Sequence, residues 1–187
     1  MAEIILTTLL TLDGVMEAPG GEPGHPHTGW AGRCMGEAEV AHKQAEAEAA
    51  GALLLGRVTY ESFREGWSSR DGAFAERMNA MPKHVVTRDP APLDWHGAQR
   101  VEGPLLPAIA ALKASAEGSL LLCGSRRLAQ ALLAGGLIDE VRLMIFPVTV
   151  GGGRRLFAED DRLDDWQLEE HRAFDSGTLE LRYRRKG

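Results

Sequence analysis

The sequence predicts an α/β protein: a mostly parallel sheet between two layers of helices, closed by an antiparallel hairpin. Three observations predict it. From residue 3 to residue 150, apolar runs of strand length alternate with segments of helical length. Several of those runs are almost unbroken in apolar residues, as strands covered on both faces are. The last two runs, 166–174 and 178–185, are separated only by the turn residues Asp175-Ser176-Gly177, so they pair directly as a hairpin.

Residues 3–12, rich in Ile, Leu and Thr, form the first strand, ended by Asp13-Gly14. Residues 17–30 hold three prolines and four glycines. They read as a long irregular loop of the kind that walls a ligand, although a plain surface excursion has the same composition. The Ala- and Glu-rich stretch 36–50 is a helix. Residues 53–55 are a short buried strand, and the helix starting at 59–63 fades at Gly66. A further short helix, 73–80, stops before Pro82, and the strand 83–88 (Lys-His-Val-Val-Thr-Arg) is closed by Asp89-Pro90. Residues 107–116 form a helix with proline in its first turn. Residues 119–123 are a strand, and the helix 126–134 ends at Gly135-Gly136. Residues 140–150 form a long strand interrupted at Pro147. In the final strand Leu179, Leu181 and Tyr183 alternate with Glu180, Arg182 and Arg184.

At 187 residues the chain reads as a single domain, 1–187, large enough for one buried core. A formal net charge of -6 argues against broad nucleic-acid binding, which needs a basic field. The two cysteines, Cys34 and Cys123, lack paired spacing. Neither a disulfide framework nor a structural zinc site is expected, and a reduced cytoplasmic compartment fits. The N-terminus has Thr7, Thr8 and Thr11 within its apolar run and no basic flank, so it reads as a strand and not a signal peptide. No apolar run reaches the roughly 18 residues of a membrane span. His25-Pro26-His27 has no third ligand in sight, so no metal is expected.

Two strand-to-helix junctions carry the chemistry. In Leu-Leu-Leu-Gly-Arg-Val-Thr-Tyr (53–60) a buried strand ends at Gly56 and a helix begins with Arg57 and Thr59. Helix-start N–H groups, a guanidinium and a hydroxyl together suit a phosphate, and the glycine admits a ligand close to the backbone. Cys123-Gly124-Ser125-Arg126-Arg127-Leu128 repeats the layout at another strand's C-terminal edge, where open α/β sheets take ligands. Thr87-Arg88 adds a hydroxyl and a cation at a third strand end. If Arg57, Arg88 and Arg126 or Arg127 converge, they form a cradle for a cofactor with several phosphates. The alternative is that glycine merely ends the strand and Arg57 is solvated. There is no GxGxxG fingerprint, so an ordinary Rossmann site is not supported. Asp13 is either an orienting carboxylate or a turn residue. Glu37 and Glu39 either reach a cleft or face water. Cys123, in an apolar strand, reads as core and not as a nucleophile.

These junctions, together with TLDGVMEAPGG (11–21), HTGW (27–30), KHVVTR (83–88) and GLIDEVRLMIFPVTVGGGRRLF (136–157), resemble the dihydrofolate reductase-like superfamily. The closer likeness is to the branch named after the C-terminal reductase domain of the bifunctional riboflavin-biosynthesis enzyme. The resemblance covers nearly the whole chain. Its most specific marks are Asp139-Glu140, Pro147, Gly151 to Gly153 and Leu156-Phe157. It implies a dihydrofolate reductase-like three-layer α/β/α sandwich and NADPH-dependent reduction of a nitrogen heterocycle or related imine. It further implies that Gly56, Arg57, Thr59, Thr87 and Arg88 hold the adenosine 2′-phosphate and pyrophosphate. Cys123, Gly124, Ser125, Arg126 and Leu128 would lie against the pyrophosphate and nicotinamide. The substrate half departs from the better-known members. Val15 stands where riboflavin-type reductases usually carry Lys, Cys123 where they often carry Glu, and Ser125 in place of the second glycine of a Gly-Gly pair. Glu39 falls near the acidic residue that helps protonate the pterin in dihydrofolate reductases.

The expected function is therefore an NADPH-dependent reductase of a pterin-like or pyrimidine-like substrate, in the pattern of a ribosylaminouracil phosphate reductase. Asp13 and Glu39 are the candidate catalytic groups, and Asp13 and Trp30 the candidate substrate contacts. The competing expectation is a non-catalytic relative that binds a nucleotide or small ligand. Met144, Ile145 and Phe146 are candidates for a homodimer seam, with burial in the core as the alternative.

Overall fold

A computed structural model describes residues 1–186. In chain order the elements are β1 (Ile4–Thr11), α1 (Glu37–Ala49), β2 (Ala52–Gly56), α2 (Arg57–Ser68), α3 (Ala73–Ala80), β3 (Lys83–Val86), β4 (Ala98–Arg100), α4 (Leu105–Ser115), β5 (Leu120–Cys123), α5 (Arg126–Ala134), β6 (Glu140–Phe146), β7 (Trp166–Ala173) and β8 (Leu179–Arg185). They build one eight-stranded sheet in the order β4-β3-β2-β5-β1-β6-β8-β7. Every pairing from β4 across to β6 is parallel, and β8 runs antiparallel to both β6 and β7. This is the expected α/β/α sandwich with a C-terminal antiparallel hairpin.

The period-2 geometry of the strands sorts side chains between the two helical layers. Leu53 and Leu55 of β2 pack with Ala47 of α1, Tyr60 of α2 and Met78 of α3. Leu54, between them, packs with Ile109 of α4 and Leu128 and Leu132 of α5. Helices α1, α2 and α3 thus cover one face, and α4 and α5 the other. Each buried Leu or Ile contributes roughly 1.5–3 kcal/mol. The uninterrupted apolar runs of β2 and β5 are the direct consequence of this double covering.

A third cluster joins Trp30, Ala31, Met144, Phe146 and Phe174. Met144 and Phe146 are buried inside the chain, so the apolar residues of β6 serve the core, and only Ile145 of that trio is part-exposed.

Four details differ from the sequence expectation. Helix α2 continues through Gly66 to Ser68, because Phe63 and Trp67 pack edge-on and Trp67 packs at a tilt against Phe74 of α3. That contact outweighs the glycine's helix penalty of about 1 kcal/mol. Helix α4 starts at Leu105, capped by Pro104, with Pro107 still in the first turn, where its missing N–H is harmless. Strand β6 stops at Phe146, since Pro147 has no N–H to give the ladder. Strand β4 is an additional short edge strand, paired to β3 with Val85 opposite Arg100.

Candidate functional site

The helix after β2 lies on one face of the sheet and the helix after β5 on the other, yet β2 and β5 are neighbours. Their C-terminal ends therefore open a crevice, the place where sheets of this kind bind ligands. Gly56 N donates to Ser125 Oγ across it at 2.8 Å. A Cβ on residue 56 would meet that hydroxyl at 3.4 Å, in ordinary van der Waals contact. Gly124 (φ 53°) and Ser125 (φ 54°) are both left-handed, which turns the chain sharply from β5 into α5.

Neither α2 nor α5 has a side-chain N-cap or an acidic residue in its first turn among the described residues. Helix α1, by contrast, carries Glu37 and Glu39 there. The first-turn N–H groups of α2 (Arg57, Val58, Thr59) and α5 (Arg126, Arg127, Leu128) form two uncapped positive helix ends facing one crevice. That is the electrostatic requirement of an anion site. Leu128 is itself a core side chain, so its backbone is what it offers.

The strand ends gather cations unevenly. Arg57 Nε bonds Glu61 Oε1 at 2.7 Å and lies 3.7 Å from Asp89. These carboxylates raise its pKa further, the Glu61 hydrogen bond being the larger cause. Its Nη1 donates to Ala91 O at 3.3 Å. Thr87 Oγ1 accepts from Asp89 N at 3.0 Å, keeping its own proton free to donate. Arg88 and Arg127 are exposed, Arg126 is part-buried, and among the described residues none of the three makes an ion pair. Since neighbouring strands lie about 4.8 Å apart, the ends of β3, β2 and β5 span about 10 Å. The three arginine-bearing ends thus lie on one edge of the sheet, with Arg57 at the centre.

The loop 17–30 is irregular as expected, but it is tied down. Trp30 is 2% exposed; its indole donates to Glu17 O at 2.8 Å and its ring meets Phe146 edge-on. That position makes it the loop's anchor and not an open contact surface. The Glu17 carboxylate accepts from Arg154 N at 2.9 Å, and His25 Nε2 lies 2.9 Å from Gly152 O. Asp13 accepts from Thr11 Oγ1 (2.6 Å) and from the amides of Gly151 (2.8 Å) and Val150 (3.3 Å). The Thr11 bond, helped by these amides, holds its carboxyl below the usual range against the opposing effect of burial. Asp13 therefore fastens the triple-glycine loop to the end of β1.

Glu39 is buried and accepts from Gly36 N at 3.0 Å and from the Ser176 hydroxyl. Burial pushes its carboxyl up, but hydrogen bonds from Ser176, its own amide and Gly36 leave it lowered overall. Hydrogen bonds thus lower the pKa of both candidate proton donors. Burial pushes the Cys123 thiol up to about 12, which agrees with its reading as a core residue and not a nucleophile. Beside it, Thr7 Oγ1 donates to Glu46 at 2.9 Å, and Lys43 and Arg142 pair with the same buried carboxylate. Sequence reasoning missed this cluster, because its four members come from three elements, β1, α1 and β6. It also missed Arg100 on β4, whose Nη2 donates to the same Ala91 carbonyl as Arg57, at 3.0 Å.

With that geometry in place, comparison with known proteins is informative. The chain is 24% identical to the uncharacterized protein YyaP of Bacillus subtilis (strain 168) over 189 residues, covering 98% of this chain and 95% of that one. Its structure superposes on a candidate riboflavin biosynthesis protein from Shewanella sp. PV-4 with a TM-score of 0.78 at 23% identity, covering 100% of each chain. A dihydrofolate reductase from Enterococcus faecalis, complexed with NADP(H) and RAB-propyl, gives a TM-score of 0.63 at 16% identity, covering 99% of this chain and 97% of that one. The likeness to the solved structures fixes a dihydrofolate reductase-like fold. The sequence itself matches the RibD C-terminal domain from residue 2 to residue 179, and the chain belongs to that family.

Proposed function

We propose that this protein is an NADPH-dependent reductase of a small nitrogen heterocycle or related imine. The observation that carries the reading is the β2–β5 crevice: two uncapped helix N-termini without acidic residues, joined by the Gly56–Ser125 hydrogen bond and flanked by Arg57. A pyrophosphate suits the paired helix starts, and a 2′-phosphate suits Arg57, Thr87 and Arg88 beside them. Gly56, Thr59, Gly124, Ser125 and Arg126 line the pyrophosphate side. NADPH, when bound, supplies the hydride.

The chain's own residues then position and enclose. Asp13 and Trp30 hold the loop walls that border the substrate, through Gly151 and Glu17 respectively. Hydrogen bonds hold the carboxyls of Asp13 and Glu39 below their ordinary range, and the substrate's proton arrives through Asp13 or a bound water. Thermal-shift titration with NADPH, NADP, and NADH, followed by NADPH consumption with pterin, pyrimidine and imine substrates, tests the reading. Saturating NADPH at about 100 times its Kd stabilises by about 2.7 kcal/mol. Absence of a shift with every nucleotide overturns it.

A further inference from the structure

We propose that a second copy of this chain packs face to face on the C-terminal hairpin, burying one side of β8 and β7 in a two-fold symmetric dimer. Register sets Tyr183 beside Leu168, Leu181 beside His171 and Leu179 beside Ala173, with Ile145 of β6 next to Leu179. Alternation puts these residues on the same sheet face as Val141 and Leu143, which belong to the core under α4 and α5. That core takes no buried side chain from β7 or β8, and of their residues Trp166 alone touches its edge. Leu168 and Leu179 are consequently 41% and 43% exposed, and Ile145, Leu181 and Tyr183 are part-exposed.

An antiparallel sheet covered on one side ordinarily turns its apolar face inward and its charged face to water. In this hairpin the charged side is the occupied one. Glu180 pairs with His42 of α1, and Arg182 and Arg184 pair with Glu170 at 3.2 Å and Glu140 at 3.0 Å. On the open side Tyr183 and His171 are the only polar members of the patch, and Arg185 at its end lies over Trp166 and is already paired with Asp164 at 2.6 Å. Two copies of such a face meet without opposing like carboxylates or ammonium groups. A three-stranded apolar face is flat and offers no groove for a helix. It is buried best by another sheet of the same twist about 10 Å away, and the hairpin is itself such a sheet. A two-fold axis running across the strands at Leu181 sets the Ala173 end of one copy on the Leu168 end of the other, and Leu179 on Tyr183, so that small meets large. The loop before β7 extends the contact, with Leu156 in the same core and Phe157 and Leu163 52% and 87% exposed. An apolar centre with a charged rim is the make-up of a homodimer interface, which takes about 800 Å² from each partner.

Sedimentation velocity over about 1–100 µM protein, on the wild type, Leu179→Glu, Leu168→Glu and Val40→Glu, tests the proposal. The wild type should be dimeric in the upper part of that range. Leu179→Glu and Leu168→Glu should each weaken self-association about a hundredfold or more, because each change enters a symmetric interface twice. Val40 of α1 is 40% exposed and lies outside the patch, so Val40→Glu should leave the dimer within about twofold of the wild type. A wild type that stays monomeric overturns the proposal. So does a dimer that survives both leucine changes, since it then uses another surface such as the free edge of β7, and so does equal dissociation by all three variants. Hydroxyl-radical footprinting of the wild type at low and high concentration needs no variant to fold. Leu168, Leu179 and Tyr183 should lose labelling as the dimer forms, while Leu12 and Val58, 67% and 79% exposed, keep theirs. Labelling of the hairpin that does not change with concentration overturns the proposal as well.

Discussion

Gly56 and Ser125 lie 69 positions apart in sequence, and the amide of one donates to the hydroxyl of the other at 2.8 Å. That bond fixes the relative position of two helix starts whose strands are neighbours but whose helices pack on opposite faces of the sheet. Ser125 holds a left-handed backbone conformation at φ 54°, which costs a non-glycine residue roughly 1–2 kcal/mol. The hydroxyl offsets part of that cost by satisfying a part-buried amide. The serine that replaces the second glycine of the expected Gly-Gly pair thus has a structural reason of its own.

Ser125→Ala keeps the left-handed strain and removes the acceptor, so it should destabilise the fold by about 1–3 kcal/mol in urea denaturation. Ser125→Gly removes the acceptor and the strain together, and should cost visibly less. Equal losses for the two variants would show that the hydroxyl and not the backbone conformation decides the site.

Arg57 is the central cation of the edge, pre-oriented by Glu61 at 2.7 Å. Arg57→Ala should weaken NADPH binding by about 1.5–3 kcal/mol, the value of a hydrogen bond to a charged group, and NADH far less. Competition isotherms with the two cofactors read this directly. An equal loss for both would remove Arg57 from the 2′-phosphate.

The strands β2 and β5 were legible in the sequence because burial on both faces leaves an unbroken apolar run, and the glycine junctions because left-handed or closely approached backbone calls for glycine. Arg100 was not, since Ala98-Gln99-Arg100 is too short and too polar to show a strand period. The continuation of α2 past Gly66 depends on Trp67 meeting Phe74, a tertiary contact with no local signal. Several residues that mark the family resemblance are architectural. Asp139 accepts from Ile4 N at 2.8 Å and pairs with Lys113 of α4, and Leu156 is in the core. Asp13 and Glu39 were visible as carboxylates, but their donors, Gly151 and Ser176, lie 138 and 137 residues away. Sequence locates such a group without revealing whether it is free to move a proton.

Asp13 should behave as a latch. Asp13→Ala deprives the Gly151 amide, the Val150 amide and the Thr11 hydroxyl of one shared acceptor, and is expected to destabilise by about 1–3 kcal/mol. The lowered pKa sets the sign of the pH effect. Its contribution is fully present above the ordinary carboxylate value of 3.8 and is lost as pH falls through the depressed native value. The stability difference between wild type and Asp13→Ala should therefore shrink in strong acid. A difference that stays constant from neutral pH down to about 3 would contradict the latch.

Lys83 supplies the opposite case at the other end of β3. Its side chain is fully buried, with Nζ donating to Asn79 O (2.6 Å) and His96 O (3.0 Å) and lying 4.2 Å from the centre of the Trp95 ring. Carbonyls and a π-face soften the burial of a cation without cancelling it. Burial, with a smaller push from Arg77, lowers its pKa to about 8 from an ordinary 10.5. Between those two values the unfolded chain holds a proton that the native state has released, so stability rises with pH through that window, by at most about 1.4 kcal/mol per unit. Lys83→Met keeps an apolar stem of similar reach but has no proton to release. Its constant cost, two carbonyls left without a donor, cancels when the same pair of proteins is compared at two pH values. Urea denaturation at about pH 7 and about pH 10 should therefore show the wild type gaining on Lys83→Met by about 1–3 kcal/mol. A gap that does not change with pH would mean that the ammonium is as comfortable inside the fold as in water, with the carbonyls of Asn79 and His96 fully repaying its lost hydration.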